Sequence, residues 1–188
     1  SNSTTLSEKD RLRIAVQYHD ATKHHFGRYA RSSGYLDWAN QPNPFRRYAG
    51  TALDLLPFPK EEASPLYEDL YSVGKIPPHA VNRASIGALL ECALGLSAWK
   101  AYEGTRWELR CNPSSGNLHS TEGYLIAGSA SGCSDAPGVY HYAPEEHALE
   151  TRTNFTERVW ASLSDGFPGE TFFVGFTSIH WREAWKYG

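Results

Sequence analysis

The chain reads as short stretches of helical periodicity and short apolar runs, separated near the N-terminal side by a long proline-punctuated segment. Ser7-Glu8-Lys9-Asp10 sets an acid three residues after a serine, the pattern of a capped helix start. Leu12, Ala15, Val16 and His19 follow at spacings of three and four, so a first helix is predicted to about Lys23. A second helix is predicted from Asn82 or Ser85, either of which can cap it. Ile86, Leu89, Leu90, Ala93 and Leu94 mark its apolar face, and Gly95 can end it. Trp107-Glu108-Leu109-Arg110 is a short predicted strand, and further strands are predicted at 123–128, 138–142 and 171–178. A third helix is predicted at about 155–163 with Asn154 as its cap, and His180 opens a fourth.

The segment from Gly34 to Pro78 obeys neither period. Pro42, Pro44, Pro57, Pro59, Pro65, Pro77 and Pro78 exclude long helices and central strands there. A flexible linker would be poor in aromatics, whereas this one carries Trp38, Phe45, Tyr48 and Phe58. It is therefore expected to be an ordered arm whose aromatics pack onto another surface, with a second subunit as one source of that surface. The whole pattern predicts one α+β domain over 1–188, a sandwich of helices and sheet with a Pro/aromatic-rich arm at about 34–78.

Composition narrows the function classes. The 188 residues suffice for one core, and the net charge of −3 offers no basic stripe for nucleic acid. No apolar run approaches the ~20 residues of a membrane span, and no secretory signal is recognisable. Cys92, Cys111 and Cys133 lack metal spacing and are expected to be free thiols in a reducing cytoplasm. His19, His24 and His25 lie close together, and His141 and His147 flank Glu145-Glu146, but none of them matches a metal-ligand signature. Gly128-Ser129-Ala130-Ser131-Gly132 is one position away from a nucleophile elbow and lacks its strand–turn–helix setting. The chain has no methionine, and Ser1-Asn2 is expected to be a remnant of tag removal.

The chemistry concentrates in Arg110-Cys111-Asn112-Pro113-Ser114-Ser115-Gly116-Asn117-Leu118-His119-Ser120-Thr121-Glu122. Proline fixes one dihedral, glycine opens positive φ, and two serines add hydroxyls. Such a loop brings bare backbone N–H groups against an anionic or planar polar ligand. Taken alone, its composition favours an ordinary turn with a solvated arginine.

Arg110 with Pro113-Ser114-Ser115-Gly116 and Glu122 resembles the flavin-binding segment of the nitroreductase family, in the branch related to dehydrogenases of thiazoline and oxazoline peptide rings. Ser120 stands where that family usually has proline. Gly138-Val139-Tyr140-His141-Tyr142 with His147-Ala148-Leu149, Tyr18-His19-Asp20-Ala21-Thr22-Lys23-His24 and Leu36-Asp37-Trp38-Ala39-Asn40-Gln41-Pro42 are also similar to this branch. The resemblance implies a nitroreductase-like α+β fold, a homodimer with FMN at the subunit interface, and ping-pong redox chemistry on a small-molecule or peptide substrate. It also implies cofactor contacts from Arg110, Asn112, Pro113, Ser114, Ser115, Gly116 and Asn117. A second cationic set, Lys23, His24, Arg28 and Arg31-Ser32, departs from the family's phosphate-gripping spacing, so that role is not carried over. A nitroreductase-like remnant that binds no flavin is the alternative, and a ligand-binding or scaffolding domain is a third reading. The chain ends at Trp185-Lys186-Tyr187-Gly188, and the resemblance implies an N-terminal fragment, because the family continues beyond this point.

If the arm is ordered across a dimer, sedimentation should give a dimer and limited proteolysis should spare residues 34–78. A monomer with a protease-sensitive arm is the contrary outcome.

Overall fold

In the computed structural model the described residues are 6–30, 37–60 and 65–187, with the side chains of Trp38 and of 185–187 outside the description. Two compact units emerge, one formed by 1–42 with 179–188, the other by Asn43–Ser178.

In the smaller unit, α1 (Glu8–Thr22) starts as predicted, with Ser7 accepting a hydrogen bond from the Asp10 amide. None of its residues is buried, and Leu12, Val16 and Tyr18 remain exposed. Lys23 pairs with Asp20 at 2.7 Å, and Arg28 donates to the Asp20 carbonyl. His24 Nδ1 accepts from the Ala30 amide. The first cations of the second set are thus engaged locally, while Arg31-Ser32 lies outside the described residues.

The larger unit is built on a five-stranded antiparallel sheet. Its strands are β1 (Leu53–Leu55), β4 (Thr121–Ala127), β5 (Gly138–Ala143), β6 (Ala148–Asn154) and β7 (Phe172–Ser178), in the order β1-β6-β5-β4-β7. A separate hairpin joins β2 (Leu96–Tyr102) to β3 (Thr105–Arg110). Its turn residues, Glu103 and Gly104, both have positive φ (46° and 79°), as a type I′ connection requires.

The central sheet has two different faces. Residues two apart along a strand share a face. Leu125 opposite Tyr140, and Tyr142 opposite Leu149, form the apolar face with Ala127. Onto it packs α2 (Arg83–Leu94), whose Ile86 and Leu90 are almost fully buried. Asn82 and Ser85 act together as a capping box for α2, so both candidate caps are used. Arg83 ties this helix to the sheet edge through both carboxylate oxygens of Asp54, at 2.5 and 2.6 Å. The opposite face carries Glu122, Tyr124, His141 and Glu150, a polar surface that has to be covered.

Residues 44–48 of the arm cover it. Phe45 is buried and meets Trp99 of the hairpin at 5.6 Å between centroids. Tyr48 hydrogen-bonds Tyr124 through their hydroxyls and lies edge-on to His141. These two aromatics therefore find their surface within the same chain. Phe58 contacts His147 yet stays largely exposed, as do Leu66, Tyr67, Leu70, Tyr71 and Val73.

Several boundaries differ from the sequence-based expectation. The third helix, α3 (Glu157–Leu163), is capped by Thr156, because Asn154 is still paired with Gly138 at the end of β6. Strand β6 was not expected, since its outer half, Glu150-Thr151-Arg152-Thr153-Asn154, reads as polar. Strands β1 and β2 were also missed. The fourth helix, α4 (His180–Tyr187), opens where expected.

Gly128 is buried at a point where an ideal Cβ would lie 2.5 Å from the indole nitrogen of Trp160 on α3. A rigid ring cannot yield as a flexible side-chain tip can. Gly128→Ala should lower stability by about 1–3 kcal/mol, read as a lower urea midpoint. An unchanged midpoint would mean that Trp160 moves aside without cost.

Candidate functional site

The 110–122 loop leaves β3 at Arg110 and re-enters the sheet at β4. Its turn is a single 3-10 turn, Ser115–Asn117, with Gly116 at φ 69° and Asn117 at φ 56°. Gly116 is thus required by the backbone, not only by composition. The turn is fixed from inside. Asn117 Nδ2 donates to the Glu108 carbonyl at 2.8 Å, and the His119 amide donates to Ser114 Oγ at 2.9 Å. His119 Nε2 is bonded to Asn117 Oδ1. Ser114 and Asn117 therefore brace the loop, while Pro113, Ser115 and Gly116 stay exposed at its tip.

Arg110 does not lie at that tip. Its side chain is only 4% exposed, donates to the Pro44 carbonyl at 2.5 Å, and sits 5.0 Å from the Phe45 ring centroid. Glu108 is its acidic neighbour, at 3.9 Å. Burial pushes the Arg110 pKa down, against the opposing pull of Glu108 and Glu122. The arginine thus anchors the arm, and its Nε has no protein partner. Asn112 Oδ1 and Glu122 Oε1 are likewise buried without one. All three residues line one narrow cleft with Thr121, Gly123 and Tyr142. The cleft therefore brings together two of the seven predicted contact residues plus Glu122, and the exposed tip presents three others.

Sequence reasoning singled out Glu122 and His141 without pairing them, and missed Glu150 and Arg47 behind the cleft. His141 Nε2 is 2.7 Å from Glu122 Oε2, and His141 Nδ1 is 2.8 Å from Glu150 Oε2. Glu150 Oε1 accepts from Arg47 Nε at 2.8 Å and from the Tyr48 amide at 3.2 Å. Arg47 also pairs with Glu146. Burial works against the charge on Glu150, but the bonds from Arg47, His141 and the Tyr48 amide outweigh it and hold its carboxyl below the ordinary value. Tyr142, desolvated in the core, is pushed well above the usual phenol range. The available signal was a charged residue at an inward strand position, as at Glu122 beside Gly123-Tyr124-Leu125. His141 uses both ring nitrogens on carboxylates, which makes a chain of bonds rather than a metal cradle. Among the described residues, no three His, Cys, Asp or Glu side chains converge on a metal site.

A larger groove of about 330 Å3 lies between Pro57–Lys60 and the start of α2. Its Asn82 and Ser85 are consumed by the helix cap, and it holds none of the buried unpartnered atoms.

No family model matches the chain, and no curated protein matches it. Among solved structures it is similar to a "putative nitroreductase" from Anabaena variabilis ATCC 29413, with a TM-score of 0.64 and 26% identity. The likeness covers 93% of this chain and 33% of that one, so the chain spans about a third of that protein's length. The fold is therefore nitroreductase-like, an antiparallel sheet with few helices. Among the described residues, no helix is long and apolar enough to cross a membrane.

Glu150 generates a pH test. Its lowered carboxyl pKa contributes stability that is present above the unfolded-state value of about 4.3 and is lost as pH falls through the folded-state value. Glu150→Gln should cost roughly 3–5 kcal/mol at pH 7 by leaving Arg47 and His141 without their buried partner. Denaturant melts of the two proteins should converge as the pH drops below that range. A gap independent of pH would contradict the assignment.

Proposed function

We propose that the chain carries the cofactor-binding part of an FMN-dependent oxidoreductase of the nitroreductase type. The observation that supports this reading best is the 112–117 turn, held rigid from inside with Gly116 at positive φ, in a nitroreductase-like fold. The residues present fit a flavin. Exposed Ser115 and Gly116 are small enough for close approach of a planar ring, and their backbone can serve its polar edge. Asn112 and Arg110 keep one unpartnered polar atom each just behind them. Bound FMN would supply the hydride chemistry, as cofactors do for such enzymes. The chain's own task is then to hold and orient the ring, to exclude water behind it, and to handle protons.

Ser114, Asn117 and Pro113 set the loop's shape, Ser115 and Gly116 face the ring, and Asn112 and Arg110 close the inner wall. A homodimer with the cofactor between subunits, a cytoplasmic location, and a small-molecule or peptide substrate belong to the same reading. A nitroreductase-like protein without flavin chemistry would share the fold and fail the cofactor test below.

Purified protein should bind FMN with a shifted visible flavin spectrum. Gly116→Val, strained at φ 69° and filling the tip, should weaken binding at least about tenfold, or ~1.4 kcal/mol. Titration by flavin fluorescence checks both. No binding by the parent protein, or equal affinity in the variant, counts against the proposal.

A further inference from the structure

Behind the loop, three fully or almost fully buried groups form a line, with Glu122 3%, His141 0% and Glu150 0% exposed. Each ring nitrogen of His141 faces a carboxylate oxygen, at 2.7 and 2.8 Å. An ionised carboxylate only accepts, and a neutral imidazole donates from one nitrogen only. Glu150 is fixed as an acceptor by Arg47 and the Tyr48 amide, so Nδ1 donates to it. The second bond then requires one further proton between Nε2 and Glu122 Oε2. The charged and titratable neighbours are Arg47 beyond Glu150 with its second partner Glu146, Arg110 near Glu122 with its neighbour Glu108, and the phenols of Tyr48 and Tyr124, whose rings lie 5.1 and 5.2 Å from the imidazole, with Arg46 and Arg152 over the Tyr48 ring. None of them stands between the three groups.

The remaining oxygen of Glu122, Oε1, has no protein partner, and its residue lines the same cleft as Arg110 and Asn112. The volume open there to the centre of a water molecule is about 10 Å3, close to the smallest space that holds one water. Donors and acceptors match this occupant. Arg110 Nε–H offers one donor, while Asn112 Oδ1 and Glu122 Oε1 offer two acceptors. One water accepts once and donates twice. An anion would meet two acceptors, and a cation would meet the guanidinium.

We propose that Glu122, His141 and Glu150 form a buried proton store that opens, through Glu122 Oε1 and one bound water, onto the Arg110–Asn112 cleft. On release, the proton passes from His141 Nε2 to Glu122 Oε2. The carboxylic acid then turns its O–H toward the cleft, and the water, turned to accept from it, takes that proton and hands one of its own to the ligand of the loop. Two carboxylates and an imidazolium carry one net negative charge. After release the set carries two, and it recovers the proton from solvent by the reverse path. No electron moves in this set. Glu122 touches the water rather than the ligand and is a relay residue. The use of the proton, to accompany reduction at the loop, rests on the flavin reading, but the store and its exit do not.

The test therefore uses the full chain without FMN, with nitrogen-15-labelled histidine. At neutral pH the expected result is a proton on both ring nitrogens of His141, or a carboxylic acid stretch that Glu122→Gln removes. In that variant the amide can donate to Nε2, and His141 should lose its second proton. A singly protonated His141 beside an ionised Glu122 overturns the store. A crystal structure should place a water within hydrogen-bonding distance of Arg110 Nε, Asn112 Oδ1 and Glu122 Oε1. A well-ordered cleft holding none overturns the exit. Asn112→Leu, which fills the cleft, should slow deuterium exchange at His141 Nε2 about tenfold or more, the equivalent of one lost hydrogen bond of ~1.4 kcal/mol. Equal exchange rates in a folded Asn112→Leu protein also overturn the exit. Loss of FMN binding alone touches the flavin reading and leaves these measurements standing.

Discussion

The larger unit is organised by the need to keep Glu122, His141 and Glu150 dry and fully bonded. Buried charge is expensive unless it is paired and hydrogen-bonded. Here the pairing comes from strand register, which sets His141 opposite both Tyr124 and Glu150. The cover comes from the arm, where Arg47 reaches Glu150 and Tyr48 lies against His141. An antiparallel sheet normally turns its polar face to water. This one buries polar groups on that face, so residues 44–48 have to be ordered over it.

The same arm couples the two halves of the site. Arg110 holds the Pro44 carbonyl, Phe45 fills the space between Arg110 and Trp99, and the next residues close over the sheet. The loop on one side and the buried chain on the other thus share a short stretch of backbone. A guanidinium used in this way makes the loop rigid, at the expense of an exposed cation at its tip. The apolar face under α2 supplies the conventional core and needs no such device.

Much of the fold was legible in the residues. The starts of α1 and α2, the strands at β4, β5 and β7, and the Pro-Ser-Ser-Gly turn follow from caps, period and glycine chemistry, all of which act within a few residues. Strand β6 was not legible, because its polar outer half satisfies no local pattern and is held by pairing to β5. The hairpin at β2 was hidden by a Glu103-Gly104 turn, which lacks the Asn-Gly or Asp-Gly pair that usually announces the type. The cap of α3 shifted to Thr156 for the same reason that hid β6.

The sequence by itself determined where α1, α2 and α4 begin, that the arm could be neither long helix nor central strand, and that positions 112–117 form a glycine-dependent turn. Those are constraints of local sterics and local hydrogen bonds. Only the tertiary structure decided that Arg110 turns inward, and that Glu122, His141 and Glu150 meet although Glu122 and His141 are 19 positions apart and His141 and Glu150 a further 9. It also decided that Phe45 and Tyr48 are covered by their own chain. Sheet register and burial are long-range properties. They depend on which strand lies beside which, and neither periodicity nor composition encodes that neighbour.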